Sequence, residues 1–244
     1  MRTFLAAISM LSILPLGRFR PTETELQRSQ NLFPVAGLLF GGILCCAAWA
    51  IEWIGIPCLP AAMLLALLPE MLTKGFHLDG LADTADGFLS GRSRERKLEI
   101  MRDSRIGSMG VAAIFALLGM KFAVFASIPA AALPVAAGIM MLSGRCGIVL
   151  YNAMSRYARP DGLGAIWFRR RPVAGIVLAL LLPGALAWWF FGMAPGVALG
   201  AALLLFAFLW SRITKSVIGG ATGDTIGCCE ELCELITLVW AVAL

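Results

Sequence analysis

Seven apolar runs separate the polar stretches of this chain, and several are long enough to cross a bilayer. They cover Phe33 to about Gly55, 61 to about 74, 108–128, about 133–151, about 172–191, about 196–213, and a last helix that ends at Leu244. A membrane-spanning helix needs about 20 apolar residues, because the hydrocarbon core is about 30 Å thick and each residue rises 1.5 Å. Backbone polar groups in lipid must be satisfied within the segment, so runs of this kind fold as helices. Composition agrees. Hydrophobic residues make up 59% of the 244 and charged residues 14%, against about 25% charged in a soluble domain. The mean hydropathy is +0.84. The expectation is an all-α polytopic membrane bundle with about 6–7 transmembrane helices, forming a single domain over 1–244.

Residues 3–16 are apolar but too short to span comfortably, and read as an interfacial or re-entrant helix rather than a signal peptide. The later runs pair into hairpins with short connections around Pro57-Cys58-Leu59-Pro60, Pro129–Pro134 and Gly192–Pro195. Each hairpin returns the chain to the side it left. Loops 17–32, 74–108, 152–171 and 212–226 should therefore share one face. They hold nearly all the Lys and Arg, while the opposite connections hold none, so that face should be cytoplasmic. Lys121 is the exception, deep in the third span. A lysine there is costly and a functional candidate, with Glu70 or Glu231 as prospective partners, although a snorkelling side chain is the plain alternative. The seven cysteines form no Cys-x-x-Cys pair and read as small buried apolar side chains.

The chemistry gathers in one polar island, Gly75 to Gly110. It contains the only histidine, His77, and the aspartates Asp79, Asp83 and Asp86. On a continuous helix the three aspartates lie within about 60° of one another. Carboxylates so placed repel unless a cation balances them, and an all-oxygen set suits Mg²⁺. Arg92, Arg94, Arg96, Lys97, Arg102 and Arg105 follow, enough positive charge to hold phosphates. Carboxylates for a metal beside arginines for phosphate point to phosphoryl-transfer chemistry. A plain reading is a solvated acidic helix end.

A second acidic set comes late. Gly219-Gly-Ala-Thr-Gly-Asp-Thr-Ile-Gly227 leads into a helix carrying Asp224, Glu231 and Glu234. On that helix the three acids lie within about 80° of one another. Helix-dipole complementation explains Asp224. Glu231 and Glu234 lie too deep for it, and are expected to join the metal site across one cavity shared with the aspartates.

His77-Leu-Asp-Gly-Leu-Ala-Asp-Thr-Ala-Asp-Gly87, together with Asp103-Ser-Arg-Ile-Gly107, strongly resembles the cobalamin synthase family, also called adenosylcobinamide-GDP ribazoletransferase. Phe33-Pro-Val-Ala-Gly37, Arg159-Pro-Asp-Gly-Leu-Gly164 and the Gly-Gly-Ala-Thr-Gly-Asp-Thr-Ile-Gly stretch fit the same family. The resemblance implies a bacterial inner-membrane enzyme that joins adenosylcobinamide-GDP to α-ribazole or its 5′-phosphate, releases GMP and requires Mg²⁺. It implies Asp79, Asp83 and Asp86 as catalytic metal ligands, with Asp224, Glu231 and Glu234 beside them. His77 becomes a candidate base for the attacking hydroxyl. Arg92, Arg102, Asp103, Arg105, Arg159 and Thr222 become candidates for holding substrate phosphates. Expected partners are the two substrates, the lipid bilayer, and a second copy of the chain or other cobalamin-assembly enzymes; no nucleic acid is expected. Two other readings compete. A CDP-alcohol phosphotransferase has arginine where Asp83 stands here. A divalent cation transporter would place its charges near mid-membrane and open to both sides.

Overall fold

The computed structural model describes residues 1–244 apart from the side chain of Leu163. It is helical throughout. Short α1 (Arg2–Leu11) and α2 (Glu23–Ser29) precede α3 (Phe33–Ile54), α4 (Cys58–Thr73), α5 (Phe76–Leu89) and α6 (Arg94–Ile100). Then come α7 (Ser108–Phe125), α8 (Leu133–Met154), α9 (Val173–Phe191), α10 (Met193–Ile218) and α11 (Gly223–Val242). Five helices are long and apolar enough to cross a membrane, or six if bent α4–α5 counts as one span. A polytopic helical bundle is thus what the apolar runs build. α11 is equally long, but it carries Asp224, Glu230, Glu231 and Glu234 and sits within the bundle.

α8 is the axis. Most of its residues are buried, from Ala136 to Asn152. Its small residues allow close approach: a Cβ on Gly138 would stand 3.1 Å from the Gly41 carbonyl oxygen of α3, and one on Gly147 would stand 2.4 Å from Cys233 Sγ of α11. Without a hydrophobic drive between helices in lipid, such contacts do much of the packing. The outward faces of the spans are apolar. Trp53 near the end of α3 and Trp189 near the end of α9 are 77% and 82% exposed, as aromatic residues at a bilayer interface are.

From the sequence, the second apolar run is expected to continue as one helix into the aspartate segment. In the structure it does not. α4 and α5 meet at a bend of 93°. Lys74 (φ 58) and Gly75 (φ 64) both take the left-handed conformation there. Glycine adopts it freely, whereas for lysine it stores strain. The bend swings α5 out of the line of the span.

The loops do share a face. Arg102 of the α6–α7 loop bonds Asp161 at 2.6 Å. Arg159 bonds Asp224, Arg94 Nε donates to the Ile218 carbonyl, and Trp167 Nε1 donates to the Leu26 carbonyl. Contacts between Cys58 and Ala126, and between Trp240 and Pro195, gather the opposite connections at the other end.

Candidate active site

α5 lies on α11 with almost nothing between the backbones. A Cβ on Gly80 would stand 2.7 Å from the Asp224 carbonyl oxygen, and one on Gly227 would stand 3.0 Å from that of His77. The glycine that follows Asp79 thus brings that carboxylate toward the first turn of α11. Asp83 faces the charges of Asp224, Asp79 and Asp86, with Arg159 as the facing cation. Arg159 donates to Asp224 at 3.0 Å, and an isolated bridge between Tyr157 and Ala221 pins its loop to the start of α11.

A cavity of about 210 Å³ opens here, walled by Asp79, Asp224, Tyr157, Arg159, Trp167 and Gly223. A second, of about 510 Å³, lies on the other side of Asp79, between α1 and the α4–α5 bend, and Ser9, Ser12, Lys74 and Leu78 line it. Met10, Phe76 and Asp79 border both. Asp79, Asp83 and Asp224 bring three negative charges against one positive charge from Arg159. Burial and mutual repulsion disfavour ionising such a set without a cation, and an all-oxygen set suits a hard divalent one.

The other expected site residues are placed differently. Both Asp86 oxygens accept backbone N–H groups, from Gly107 at 2.7 Å and Gly110 at 2.9 Å. Asp86 therefore caps the start of α7, where a helix leaves such N–H groups without internal partners. Thr222 is likewise occupied. Its hydroxyl accepts from Thr225 N–H in a capping box and lies 3.2 Å from Asp224, so it orients that acid instead of reaching a phosphate. His77 is buried, its Nδ1 3.1 Å from Glu230, and it borders neither cavity; the expected base role does not fit that position. Asp103 pairs with Arg105 within its own loop. The Arg105 guanidinium, through its hydrogen bonds, holds the Asp103 carboxyl down at about 2. Arg105 and Arg92 are exposed, and Arg102 reaches Asp161.

Glu231 and Glu234 do not join the aspartates. Lys121 Nζ donates to Glu231 at 2.6 Å, Glu234 at 2.8 Å and Glu70 at 3.0 Å. Arg145 sits 2.5 Å from both Glu230 and Glu234. All these side chains are buried. Glu231 lies about 12 Å along α11 from Gly223 at 1.5 Å per residue. The ligand atoms of Glu70, Glu231 and Glu234 approach one another within 4.8 Å, as do those of His77, Glu230 and Glu231. Lys121 and Arg145 already supply the positive charge there. The shared acidic cavity is thus corrected: Asp224 meets the α5 aspartates, and the two glutamates belong to a separate ionic cluster.

Four residues escaped the sequence reading. Arg145 is a second basic residue inside a span, and its charge in an apolar run was the available signal. Lys74, Tyr157 and Trp167 carry no signal of their own, because only the bend and the loop packing bring them to the cavities.

The cobalamin-5-phosphate synthase family matches residues 3–243. Curated relatives named adenosylcobinamide-GDP ribazoletransferase include one from Klebsiella pneumoniae strain 342, 38% identical over 98% of each chain. Others are from Citrobacter koseri, 38% identical, and Escherichia coli O17:K52:H18, 34% identical, each again over 98% of both chains. No solved structure matches. With a match across nearly its whole length and relatives 34–38% identical to it, the chain belongs to the cobalamin-5-phosphate synthase family.

Proposed function

We propose that this protein is an adenosylcobinamide-GDP ribazoletransferase of the bacterial inner membrane, acting with Mg²⁺ at the end of cobalamin nucleotide-loop assembly. The convergence of Asp79, Asp83 and Asp224 beside Arg159, in a chain of this family, carries the reading. A hydroxyl oxygen of α-ribazole, or of its 5′-phosphate, attacks the phosphorus that stays with cobinamide. The bond from that phosphorus to the GMP oxygen breaks, and GMP leaves with the electron pair. The hydroxyl proton passes to a carboxylate of the cleft. Asp79, Asp83 and Asp224 would hold the metal, which when bound supplies Lewis-acid stabilisation of the diphosphate oxygens. Arg159, positioned by its bond to Asp224, offers its remaining N–H groups to the same charge.

Two cavities meeting at one carboxylate suit a two-substrate reaction. Tyr157 and Trp167 give the smaller one aromatic faces for a nucleobase, and the start of α11 gives it backbone N–H groups for the diphosphate. The larger one, with Lys74 on its wall, suits the nucleoside acceptor and its phosphate. The connections at 55–57, 126–132 and 192 carry no Lys or Arg, which favours a cytoplasmic position for the face that bears the cleft.

The test is turnover by purified protein in liposomes supplied with adenosylcobinamide-GDP, α-ribazole or its 5′-phosphate, and Mg²⁺. Release of GMP in step with a cobalamin product is the expected result. Its absence with both acceptors rejects the assignment.

A further inference from the structure

A third cavity, away from the aspartates, lies where the ends of α8 and α10 converge on the polar face. It encloses about 230 Å³, and its polar wall is formed by Ser155, Arg156, Arg212, Lys215 and the Gly219-Gly220 turn. The wall contains no carboxylate, and none of its three cations forms an ion pair among the described residues. The Ser155 hydroxyl is buried and has no hydrogen-bond partner.

Compensation of helix dipoles does not account for this much charge. The two helix C-termini each present roughly half a negative charge. Three cations exceed that by about two units. The wall is also fixed in shape. Ala221 N–H donates to the Arg156 carbonyl at 2.7 Å, and Ala158 N–H donates to the Ala221 carbonyl at 2.8 Å. A Cβ on Gly220 would stand 2.2 Å from that Arg156 oxygen, so the turn and the loop are in backbone contact.

The surroundings indicate the source of the anion. Below the cavity, α10 presents Leu205, Phe208, Leu209 and Ile213 outward, each about half exposed. In a membrane protein that strip faces acyl chains. An occupant with a phosphate among the three cations and hydrocarbon along α10 is an anionic phospholipid. Basic pockets between helices at the headgroup level bind such lipids.

We propose that Arg156, Arg212 and Lys215, with Ser155, form a binding site for the phosphate headgroup of an anionic phospholipid. The site is independent of the transferase cleft, and its test needs no turnover. Purified full-length protein in neutral detergent is given phosphatidylglycerol, phosphatidylcholine or inorganic phosphate, and thermal unfolding is followed. Phosphatidylglycerol at about 100-fold above its Kd should raise Tm by roughly 5–10 °C over phosphatidylcholine. The variant Arg156→Gln, Arg212→Gln, Lys215→Gln should lose that difference. The variant Arg169→Gln, Arg170→Gln, Arg171→Gln, altered elsewhere on the same face, should keep it. Equal shifts in all three proteins, or a shift lost equally in both variants, would overturn the site. A shift of the same size from inorganic phosphate alone would overturn the lipid assignment. The first variant changes only exposed side chains, so its Tm in phosphatidylcholine should fall by no more than the few degrees that lost compensation of two helix ends costs; a fall there as large as the whole lost difference also counts against the site.

Discussion

Lys121 on α7 and Glu231 on α11 lie 2.6 Å apart, both buried. The same ammonium also reaches Glu70 on α4 and Glu234 on α11. One lysine thus ties three helices together in a region where an unpaired charge is costly.

Lys121→Met and Glu231→Gln should accordingly differ. The first leaves Glu70 and Glu231 buried without a cation and should destabilise the bundle by roughly 3–5 kcal/mol. The second leaves Lys121 two partners, Glu70 and Glu234, in a cluster that already holds four glutamates against two cations, so it should cost under about 1 kcal/mol. Thermal unfolding in one detergent compares them. If Lys121→Met is the milder change, the cluster is not the tie that its geometry describes.

Asp79→Asn, Asp83→Asn and Asp224→Asn should each lower GMP release by about 100-fold or more, with folding retained, since amides are weak ligands for Mg²⁺. Asp86→Ala should act on stability. It strands the Gly107 and Gly110 N–H groups and costs about 1–2 kcal/mol as a lost cap. Activity that falls equally in all four, with no change in Tm for Asp86→Ala, would return Asp86 to the metal site.

Arg159→Met should reduce kcat far more than Arg105→Met. Arg159 stands between the loop and Asp224, whereas Arg105 is 86% exposed and turned to Asp103. With Asp103 held at about 2 by that guanidinium, the pair stays ionised above roughly pH 3. Its stabilisation is present above the ordinary carboxyl range and is lost only as pH falls through about 2. Arg105→Met should therefore leave the pH–rate profile between pH 5 and 9 unchanged. A moved profile places Arg105 in the cleft.

Lys74 should show a split between substrates. Lys74→Gly relieves the left-handed strain and removes the cation. It should raise KM for α-ribazole 5′-phosphate about tenfold, the size of one lost charge-assisted bond, while KM for α-ribazole changes little. Equal effects on both acceptors would move the acceptor phosphate elsewhere.

Membrane sidedness is open to cysteine labelling. On a cysteine-free background, Ser93→Cys and Asp161→Cys should react with an impermeant reagent from the cytoplasmic side, and Ser127→Cys from the opposite side. Labelling of Ser93→Cys and Asp161→Cys from different sides contradicts the bond between Arg102 and Asp161.

Much of the architecture is written locally. The length of each apolar run and the short connections between runs determine a helical bundle with its polar loops on one face, because lipid forces each segment to satisfy its own backbone. The Asp79–Asp83 spacing and the motifs around Asp103, Arg159 and Asp224 likewise mark the family and the cleft. The partners of buried charges were decided only in three dimensions. Helical periodicity places Asp86 with Asp79 and Asp83, and Glu231 with Asp224, but it reports direction around an axis and says nothing of the neighbour met there. Asp86 meets the start of α7, and Glu231 meets Lys121 from a helix 110 residues away in sequence. The bend at Lys74–Gly75 is the other tertiary decision. Two successive left-handed residues turn α5 across the end of the bundle, and contact with α11 through Gly80 keeps it there, so Asp79 and Asp83 face Asp224 at the polar end while the glutamates remain inside with their lysine and arginine.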